Sequence, residues 1–262
     1  MLQPTNRIII VFANYKYRSI LRNWLVRLPD ELLQYVRIYT YGRFFTRLLK
    51  VRGLDAQMIR PRFESRNQLW RDRLETVLSL VSAGFEVTLA DVDAIVNEDF
   101  YRYTDPLVAD IVSSQGTVFP PHVHAEWGFV LCCGFMQFRA TDVSCKFLQS
   151  ALQFEAGDYT DQLAVNSILL ASEIEWSLDP ENYNVVAMGR NITCYKEVIY
   201  GSVISGNHAG LRVGMLPHSL FRRLPNTFEA SDTVVFHPLP GRRGQSHVKS
   251  MLKKQSLWGN QC

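Results

Sequence analysis

The chain has 262 residues, 47% of them hydrophobic and 20% charged, which is the composition of an ordinary soluble globular protein. Its formal net charge of +3 allows an anionic small ligand but does not demand a nucleic acid. The five cysteines form no CxxC pair and are odd in number, which argues against a disulfide framework and against a zinc knuckle. No apolar run approaches the roughly 20 residues that cross a bilayer, and the run near the N-terminus is short for a signal peptide. We therefore expect no membrane span and a cytoplasmic location.

Strand-like and helix-like segments alternate over the first 90 residues. Strands are predicted at residues 8–13, 36–41, 58–59 and 85–90, and helices at residues 18–28, 44–51 and 65–84. Short connections between such segments are typical of a mostly parallel sheet with helices on its faces. Ligands of these sheets bind beyond the carboxyl ends of the strands, which is where Asn14 and Asp91 stand.

The rest of the chain predicts a mixed second half with shorter strands. Strands are predicted at residues 108–113, 129–131, 135–138, 198–204, 211–215 and 233–236 and around residue 185, and helices at residues 142–154, 161–171 and 244–258. The segment 205–210 is typical of a hairpin loop. Because no low-complexity linker interrupts the chain, we expect a single α/β domain over residues 1–262.

Two carboxylates follow the fourth predicted strand, in the tripeptide Asp91-Val92-Asp93. Residues two apart on a strand point the same way, so both side chains can face one site. Two hard oxygen ligands suit Mg²⁺ or Mn²⁺, which proteins hold with one or two carboxylates and the phosphates of a substrate. The alternative is a pair of solvated turn aspartates, and the tripeptide alone leaves both interpretations open.

His237 also stands at the end of a predicted strand, directly after the apolar residues 234–236. An imidazole nitrogen could complete a Mn²⁺ site, because Mn²⁺ accepts nitrogen ligands more readily than Mg²⁺ does. A purely structural histidine is the alternative. Asp158 and Asp161 precede an apolar helix, where helix capping would explain either of them.

A basic tail follows His237. Its glycines at 241 and 244 would let the backbone approach a phosphate. Its cations would neutralise the phosphate charge, and they are Arg242, Arg243, Lys249, Lys253 and Lys254. The alternative for such a run is a solvated helix face.

Eight motifs follow one another along nearly the whole chain. They read FANYKY, LRNWL, RLETVLSLVSAGFEVTLADVDAIV, ADIVSSQ, GFMQFR, DYTDQLAVNSIL, VGMLPHSLF and VVFHPLPGRRGQSHVKSMLKKQSLW. In this order they resemble the nucleotide-diphospho-sugar transferases of GT-A fold, nearest to the branch that contains plant cell-wall xylosyl- and arabinosyltransferases. The resemblance implies a Rossmann-like, mostly parallel central sheet of GT-A type. It also implies a nucleotide-binding half near residues 1–95 and a sugar and acceptor half near residues 96–262.

The resemblance assigns roles to individual residues. Asp91, Val92 and Asp93 would be the family's DxD motif, in which Asp93 binds the metal and Asp91 contacts the metal or the ribose. His237 would be a further metal ligand. The other implied contacts are Lys249, Gly241 and Gly244 at the diphosphate, Ala13, Asn14 and Tyr15 at the base, Arg73 and Gly134 elsewhere on the nucleotide sugar, and Asp161 and Gln162 in the catalytic position beside the anomeric carbon.

The implied function is transfer of a sugar from a nucleotide-diphosphate donor to a glycan, glycoprotein or other hydroxyl acceptor, and the expected donor is a UDP-sugar. Mn²⁺ or Mg²⁺ would be the cofactor, and a terminal histidine followed by Gly and Lys favours retention of configuration. The chain departs from the family at Cys132-Cys133-Gly134, where Asn-Thr-Gly is usual, and at Val96-Asn97, where a tryptophan is common.

Two alternatives remain at the level of the sequence. One is a catalytically inactive module of the same fold that binds a glycan or a nucleotide. The other is a phosphatase of haloacid-dehalogenase type, which carries Asp-x-Asp on its first strand.

Overall fold

The computed structural model describes residues 6–223, 232–239 and 244–259. Its contacts divide the chain into two compact units, each made of three separate stretches of sequence. The unit formed by Ile9–Phe63, Ala90–Asp105 and Ser219–Cys262 holds nineteen Lys and Arg against ten Asp and Glu, and we call it the basic unit. The second unit is formed by Met1–Ile8, Glu64–Leu89 and Pro106–His218. It holds nine Lys and Arg and fifteen Asp and Glu, and we call it the acidic unit.

Strands and helices alternate at the start of the chain as predicted. The first elements are β1 (Arg7–Asn14), α1 (Arg18–Arg27), α2 (Asp30–Leu33), β2 (Val36–Tyr41), α3 (Arg43–Val51), β3 (Ala56–Arg60), α4 (Arg66–Ser82) and β4 (Glu86–Ala90). All four strands and all three longer helices predicted before residue 90 are present. The α/β class, with a large, mostly parallel central sheet flanked by helices, is therefore confirmed.

The remaining elements are shorter and more varied. Those before residue 172 are β5 (Ile95–Val96), α5 (Tyr101–Thr104), β6 (Ile111–Gln115), α6 (Pro121–Trp127), β7 (Leu131–Phe138), α7 (Asp142–Gln153) and α8 (Asp161–Ala171). The last are β8 (Glu175–Trp176), β9 (Asn182–Ala187), β10 (Arg190–Tyr195), β11 (Ile199–Ser202), β12 (Arg212–Met215), β13 (Phe221–Arg222), β14 (Val235–Phe236) and α9 (Gln245–Lys254). None of the helices in the described part of the chain is both long enough and apolar enough to cross a bilayer.

In the basic unit, β1, β2 and β3 run parallel in the order β3-β2-β1. The register pairs Ile9 with Val36 and Asn14 with Tyr41, so β1 and β2 end side by side. β1 is buried over residues 8–13 because its apolar run has no polar position before Asn14. A second small sheet joins β14 to β13 in parallel and to β5 in antiparallel fashion.

In the acidic unit the strand order is β4-β7-β6-β12-β11-β8. β6 pairs antiparallel with β7 and parallel with β12, whereas β11 pairs antiparallel with both β12 and β8. Helices α4, α7 and α8 pack against one another. Each of them begins at a side-chain cap, in which Ser65, Thr141 or Thr160 accepts a hydrogen bond from the backbone N–H three residues further on.

Several later elements differ from the sequence prediction. The short elements β5, α5, β8 and β13 are not predicted, and three longer elements also differ. β7 is one strand, where the pattern predicts two, because Cys132 and Cys133 are buried as small apolar residues and do not interrupt it. β10 was not predicted, and its antiparallel pairing with β9 is a contact that the sequence pattern does not reveal. α6 was also not predicted, although Pro121 stands at its first turn, where a helix tolerates proline.

The hairpin loop between β11 and β12 carries a buried histidine. His208 has Ser172 Oγ 2.9 Å from its Nδ1 and Ser150 Oγ 3.0 Å from its Nε2. Ser172 Oγ already donates to the Ile168 carbonyl at 2.7 Å, so it accepts from Nδ1–H, and Nε2 accepts from Ser150. Burial lowers the pKa of His208 below its usual value, because desolvation penalises the charged ring.

We expect protonation of His208 to weaken the acidic unit. The pKa of His208 is lowered from 6.5 on folding. The stabilisation that neutral His208 gives to the folded state is therefore complete above that pH and is lost as the pH falls through the folded-state pKa. The difference in unfolding free energy between wild type and His208→Gln should therefore shrink below pH 6.5 in denaturant titrations. A difference that stays constant down to about pH 5 would contradict a neutral, doubly hydrogen-bonded histidine.

A second prediction concerns the buried amide that joins α8 to β7. Asn166 Oδ1 accepts the Leu131 N–H at 2.8 Å, and its Nδ2 donates to the Leu131 carbonyl at 3.0 Å. Asn166→Leu leaves both backbone groups buried without these partners, so urea unfolding should show a loss of about 2–5 kcal/mol. The control is Asn67→Leu, which removes an exposed amide bonded to the Gly157 carbonyl and should cost less than about 0.5 kcal/mol. Equal losses of unfolding free energy in the two variants would contradict a stabilising role for the two buried hydrogen bonds of Asn166.

Candidate functional site

The two predicted aspartates lie in a tight turn that follows β4. All five residues of β4 are buried, and after Ala90 the Asp91 carbonyl accepts a hydrogen bond from the Ala94 N–H at 3.0 Å. The indole Nε1–H of Trp24 donates to the Ala94 carbonyl at 2.8 Å and fixes the far end of this turn. Four strands precede the turn, whereas the phosphatase alternative would have it on the first strand.

His237 reaches the same turn through strand pairing. β14 runs antiparallel to β5, with Phe236 opposite Ile95. His237 follows Phe236 directly and Asp93 precedes Ile95 by two residues, so the register brings the two side chains together. The backbone N–H of His237 donates to the Arg222 carbonyl at 2.8 Å, which holds the histidine against β13.

Asp91, Asp93 and His237 form a cluster of potential metal ligands, which we call the Asp-Asp-His cluster. His237 Nε2 lies 3.5 Å from Asp91 Oδ2 and 3.6 Å from Asp93 Oδ1. The three ligand atoms lie within 4.8 Å of one another, and no other group of three or more such ligands occurs in residues 6–223, 232–239 and 244–259. The side chain of His237 is 7% exposed, whereas those of Asp91 and Asp93 are 26% and 20% exposed. The ring therefore forms the back of the cluster, and the carboxylates remain accessible to a ligand.

The chemistry of the cluster fits a divalent cation. Two carboxylates so close together repel each other unless a positive charge lies between or beside them. Carboxylate oxygens are the ligands that Mg²⁺ and Mn²⁺ prefer, and the imidazole nitrogen suits Mn²⁺ better than Mg²⁺. Three protein ligands would leave coordination positions for water or for phosphate oxygens.

The residues predicted to contact the base lie at the end of β1. Ala13 is buried, and Asn14 Oδ1 accepts a backbone N–H two residues on at 3.0 Å, so this oxygen is already used in the turn. Tyr15 is exposed, with the Phe44 ring edge-on at 5.9 Å and the Arg18 guanidinium 4.4 Å from its centroid. Of the three, Tyr15 offers the accessible aromatic surface.

The remaining predicted contacts of the basic unit are Val92, Gly244, Lys249 and Gly241. Val92 is buried, so a ligand could meet only its backbone. Gly244 precedes α9 with φ of 53° and ψ of −128°, a conformation that only glycine adopts readily. Lys249 lies within α9, and its Nζ is 5.7 Å from the Trp258 ring centroid. Gly241 lies outside the described residues, as do Arg242 and Arg243 of the basic tail.

In the acidic unit, Arg73 and Asp161 form a buried ion pair. Arg73 in α4 and Asp161 at the first position of α8 are 4% and 3% exposed, and Nε lies 2.9 Å from Oδ2. Arg73 Nη2 also donates to the Cys133 carbonyl of β7 at 2.9 Å. The pair therefore links two helices and a strand, and each charge balances the other.

Gln162 and Gly134 flank this ion pair. The Gln162 N–H donates to Asp161 Oδ1 at 2.7 Å, and its side-chain Nε2 donates to the Phe119 carbonyl. Gln162 is only partly buried, unlike Asp161. Gly134 is buried within β7, directly after Cys133.

The sequence does not predict that Arg73 and Asp161 pair with each other. One signal was present, because Arg73 falls in the apolar row of α4 that includes Trp70, Leu74 and Val77. A charged residue in such a row requires a buried partner. The sequence alone does not identify that partner.

Comparison with known proteins places these observations in a family. A family model of nucleotide-diphospho-sugar transferases matches residues 20–239. No curated protein sequence matches the chain significantly. The glycosyltransferase GlyE of Streptococcus pneumoniae TIGR4 is similar at 14% identity and a TM-score of 0.41, over 63% of this chain and 43% of GlyE. The galactosyltransferase LgtC, solved with donor and acceptor sugar analogs, is similar at 14% identity and a TM-score of 0.40, over 61% of this chain and 69% of LgtC.

The structural match thus spans less than half of the GlyE chain. The family match spans most of the present chain and includes both the Asp-Asp-His cluster and the Arg73–Asp161 pair. Assignment to the plant cell-wall branch stays a prediction. The chain belongs to the nucleotide-diphospho-sugar transferase family.

Proposed function

We propose that the chain is a metal-dependent glycosyltransferase that moves a sugar from a UDP-sugar to a hydroxyl group of a glycan, glycoprotein or other acceptor, with retention of configuration. Membership of the family supports a nucleotide-sugar donor. The observation that carries the proposal is the Asp-Asp-His cluster, because two adjacent carboxylates with one imidazole are suited to a cation that also binds a diphosphate.

In this reaction the bond between the anomeric carbon and the β-phosphate oxygen breaks, and the acceptor oxygen forms the new bond to that carbon. The leaving nucleoside diphosphate takes the electron pair, so negative charge grows on its phosphate oxygen. A divalent cation bound to the cluster would supply Lewis-acid stabilisation of that charge. Lys249 and the backbone at Gly244 would hold the diphosphate, and the Tyr15 ring would contact the base.

The burial and ion pairing of Asp161 support a reaction that retains the anomeric configuration. An inverting enzyme needs a general base that removes the proton of the acceptor hydroxyl from the face opposite the leaving group. Asp161 is buried, paired with Arg73 and bonded to the Gln162 N–H, so its carboxylate is poorly placed for that task. In a retaining reaction the acceptor proton passes to the departing phosphate, and no such base is required.

Asp161 and Gln162 then have different roles. Asp161 is a positioning residue, because its carboxylate fixes the start of α8 through Arg73 and through the Gln162 N–H. Gln162 is the residue that would contact the sugar beside the anomeric carbon, with the side chain oriented by its bond to the Phe119 carbonyl.

The first experiment is calorimetric titration of UDP and of GDP, with and without Mn²⁺, on wild type and Asp93→Ala. We expect UDP to bind only with metal, and Asp93→Ala to weaken that binding at least about tenfold, since one carboxylate ligand is lost. Asp30→Ala, which removes an exposed aspartate of α2, is the matched control and should bind as wild type does.

Three other results of the titration would change the proposal in different ways. Binding of GDP but not UDP would correct the donor base alone. UDP binding that needs neither metal nor Asp93 would overturn the metal dependence. Absence of nucleotide binding under any metal would favour the inactive module, for which Cys132-Cys133-Gly134 in place of Asn-Thr-Gly is the sequence argument.

A second experiment separates positioning from catalysis. Asp161→Ala leaves Arg73 buried without its counter-ion and should lower the unfolding free energy by about 3–5 kcal/mol. Gln162→Ala should keep wild-type stability and UDP binding but lower kcat at least about tenfold, measured as UDP released from a panel of UDP-sugars.

The double variant Arg73→Met/Asp161→Leu is the control for the ion pair, because it removes both charges together and should recover much of the lost stability. If Asp161→Ala folded as stably as wild type and had lost turnover, Asp161 would be the catalytic residue and not a positioning residue.

A further inference from the structure

The basic unit concentrates its positive charge near the start of the chain. Residues 9–63 hold eleven Lys and Arg against three Asp and Glu. Within them, residues 43–52 hold four cations and no carboxylate, and nearly all of this stretch is α3. None of these four cations belongs to the proposed donor site.

The faces of α3 differ sharply in chemistry. Its buried face consists of Phe45, Thr46 and Leu49, and the helix packs against β2 and β3. Two rows of residues share the opposite side, each with the i, i+4, i+7 spacing of one helix face. The apolar row is Phe44, Leu48 and Val51, and the cationic row is Arg43, Arg47 and Lys50.

The outer rows are open to solvent except at Leu48, which is partly buried. Phe44 is 71% exposed and Val51 is 78% exposed, which is unusual for two large apolar residues of one short helix. The three residues of the cationic row are all exposed. Within the described part of the chain, no carboxylate forms an ion pair with any of the three.

We propose that α3 binds the surface of an anionic lipid bilayer. An exposed apolar row beside a cationic row is the arrangement of helices that lie in the membrane interface, where apolar side chains enter the acyl boundary and cations meet lipid phosphates and carboxylates. Phe44, Leu48 and Val51 would insert, while Arg43, Arg47 and Lys50 would contact the headgroups.

The apolar row favours a bilayer over a nucleic acid. Phe44, Leu48 and Val51 have no hydrogen-bond donor for a phosphate backbone, and against a duplex they would be buried beside charge. The acidic unit of a second copy of this chain is an alternative partner for α3. The test below would detect it as a dimer in light scattering. The proposal goes beyond the proposed function and uses none of the ligands of the Asp-Asp-His cluster.

The test is flotation with vesicles of phosphatidylcholine alone and of phosphatidylcholine with about one third phosphatidylserine. Wild type should float only with the anionic vesicles and should dissociate at high salt. Arg47→Glu/Lys50→Glu should weaken binding at least about thirtyfold, since two attractive charges are replaced by repulsive ones. Val51→Ser should weaken binding several-fold without changing the charge.

Matched controls lie in the acidic unit. Lys146→Glu/Arg190→Glu changes the net charge equally, and Val186→Ser removes an equally exposed valine, so both should float as wild type does. Calorimetric UDP binding of Arg47→Glu/Lys50→Glu should match wild type, which separates a failure of this proposal from a failure of the proposed function.

Three results would overturn the proposal. The first is failure of wild type to float with anionic vesicles, and the second is an equal loss of binding in the charge control. The third is a partner of another class, which would appear as RNA binding, or as a dimer in light scattering, that Arg47→Glu/Lys50→Glu abolishes while vesicle binding persists unchanged.

Discussion

Repulsion between the carboxylates of Asp91 and Asp93 is the constraint on which the candidate site depends. Strand β4 ends in a turn fixed by Trp24, and this turn holds the two side chains beside one imidazole. Partial exposure lessens the cost of that arrangement, but it does not remove the charge. In the proposed function a cation and the diphosphate of a nucleotide sugar would occupy this site together.

The Arg73–Asp161 pair is a second place where the charge of a carboxylate is balanced. Its counter-ion comes from the protein, and both charges are almost fully buried. Such a pair fixes geometry more than it adds stability, and removing one partner is costly. The Asp-Asp-His cluster and the Arg73–Asp161 pair would therefore have different roles in the proposed enzyme. In the proposed function the Asp-Asp-His cluster would bind the cation, whereas Arg73 and Asp161 hold the start of α8, and Gln162 with it.

Features of this molecule that depend on neighbouring residues in the sequence are predictable, whereas contacts between distant segments are not. The alternation from β1 to β4 follows from hydrophobic periodicity and from the Ser65 cap, so it was predictable. The pairing of β10 with β9 and the ion pair between Arg73 and Asp161 join separate segments, so no local pattern encodes them. Asp91, Asp93 and His237 were found because each follows a strand end, although the β5–β14 register that unites them was not predictable.

The most direct test of the proposed metal site is an anomalous diffraction experiment at the manganese edge on crystals grown with Mn²⁺ and UDP. We expect a single strong peak within about 2.3 Å of oxygens of Asp91 or Asp93 and of His237 Nε2, with the UDP diphosphate completing the coordination. Density for UDP with no manganese peak at this cluster, or a peak at other residues, would contradict it.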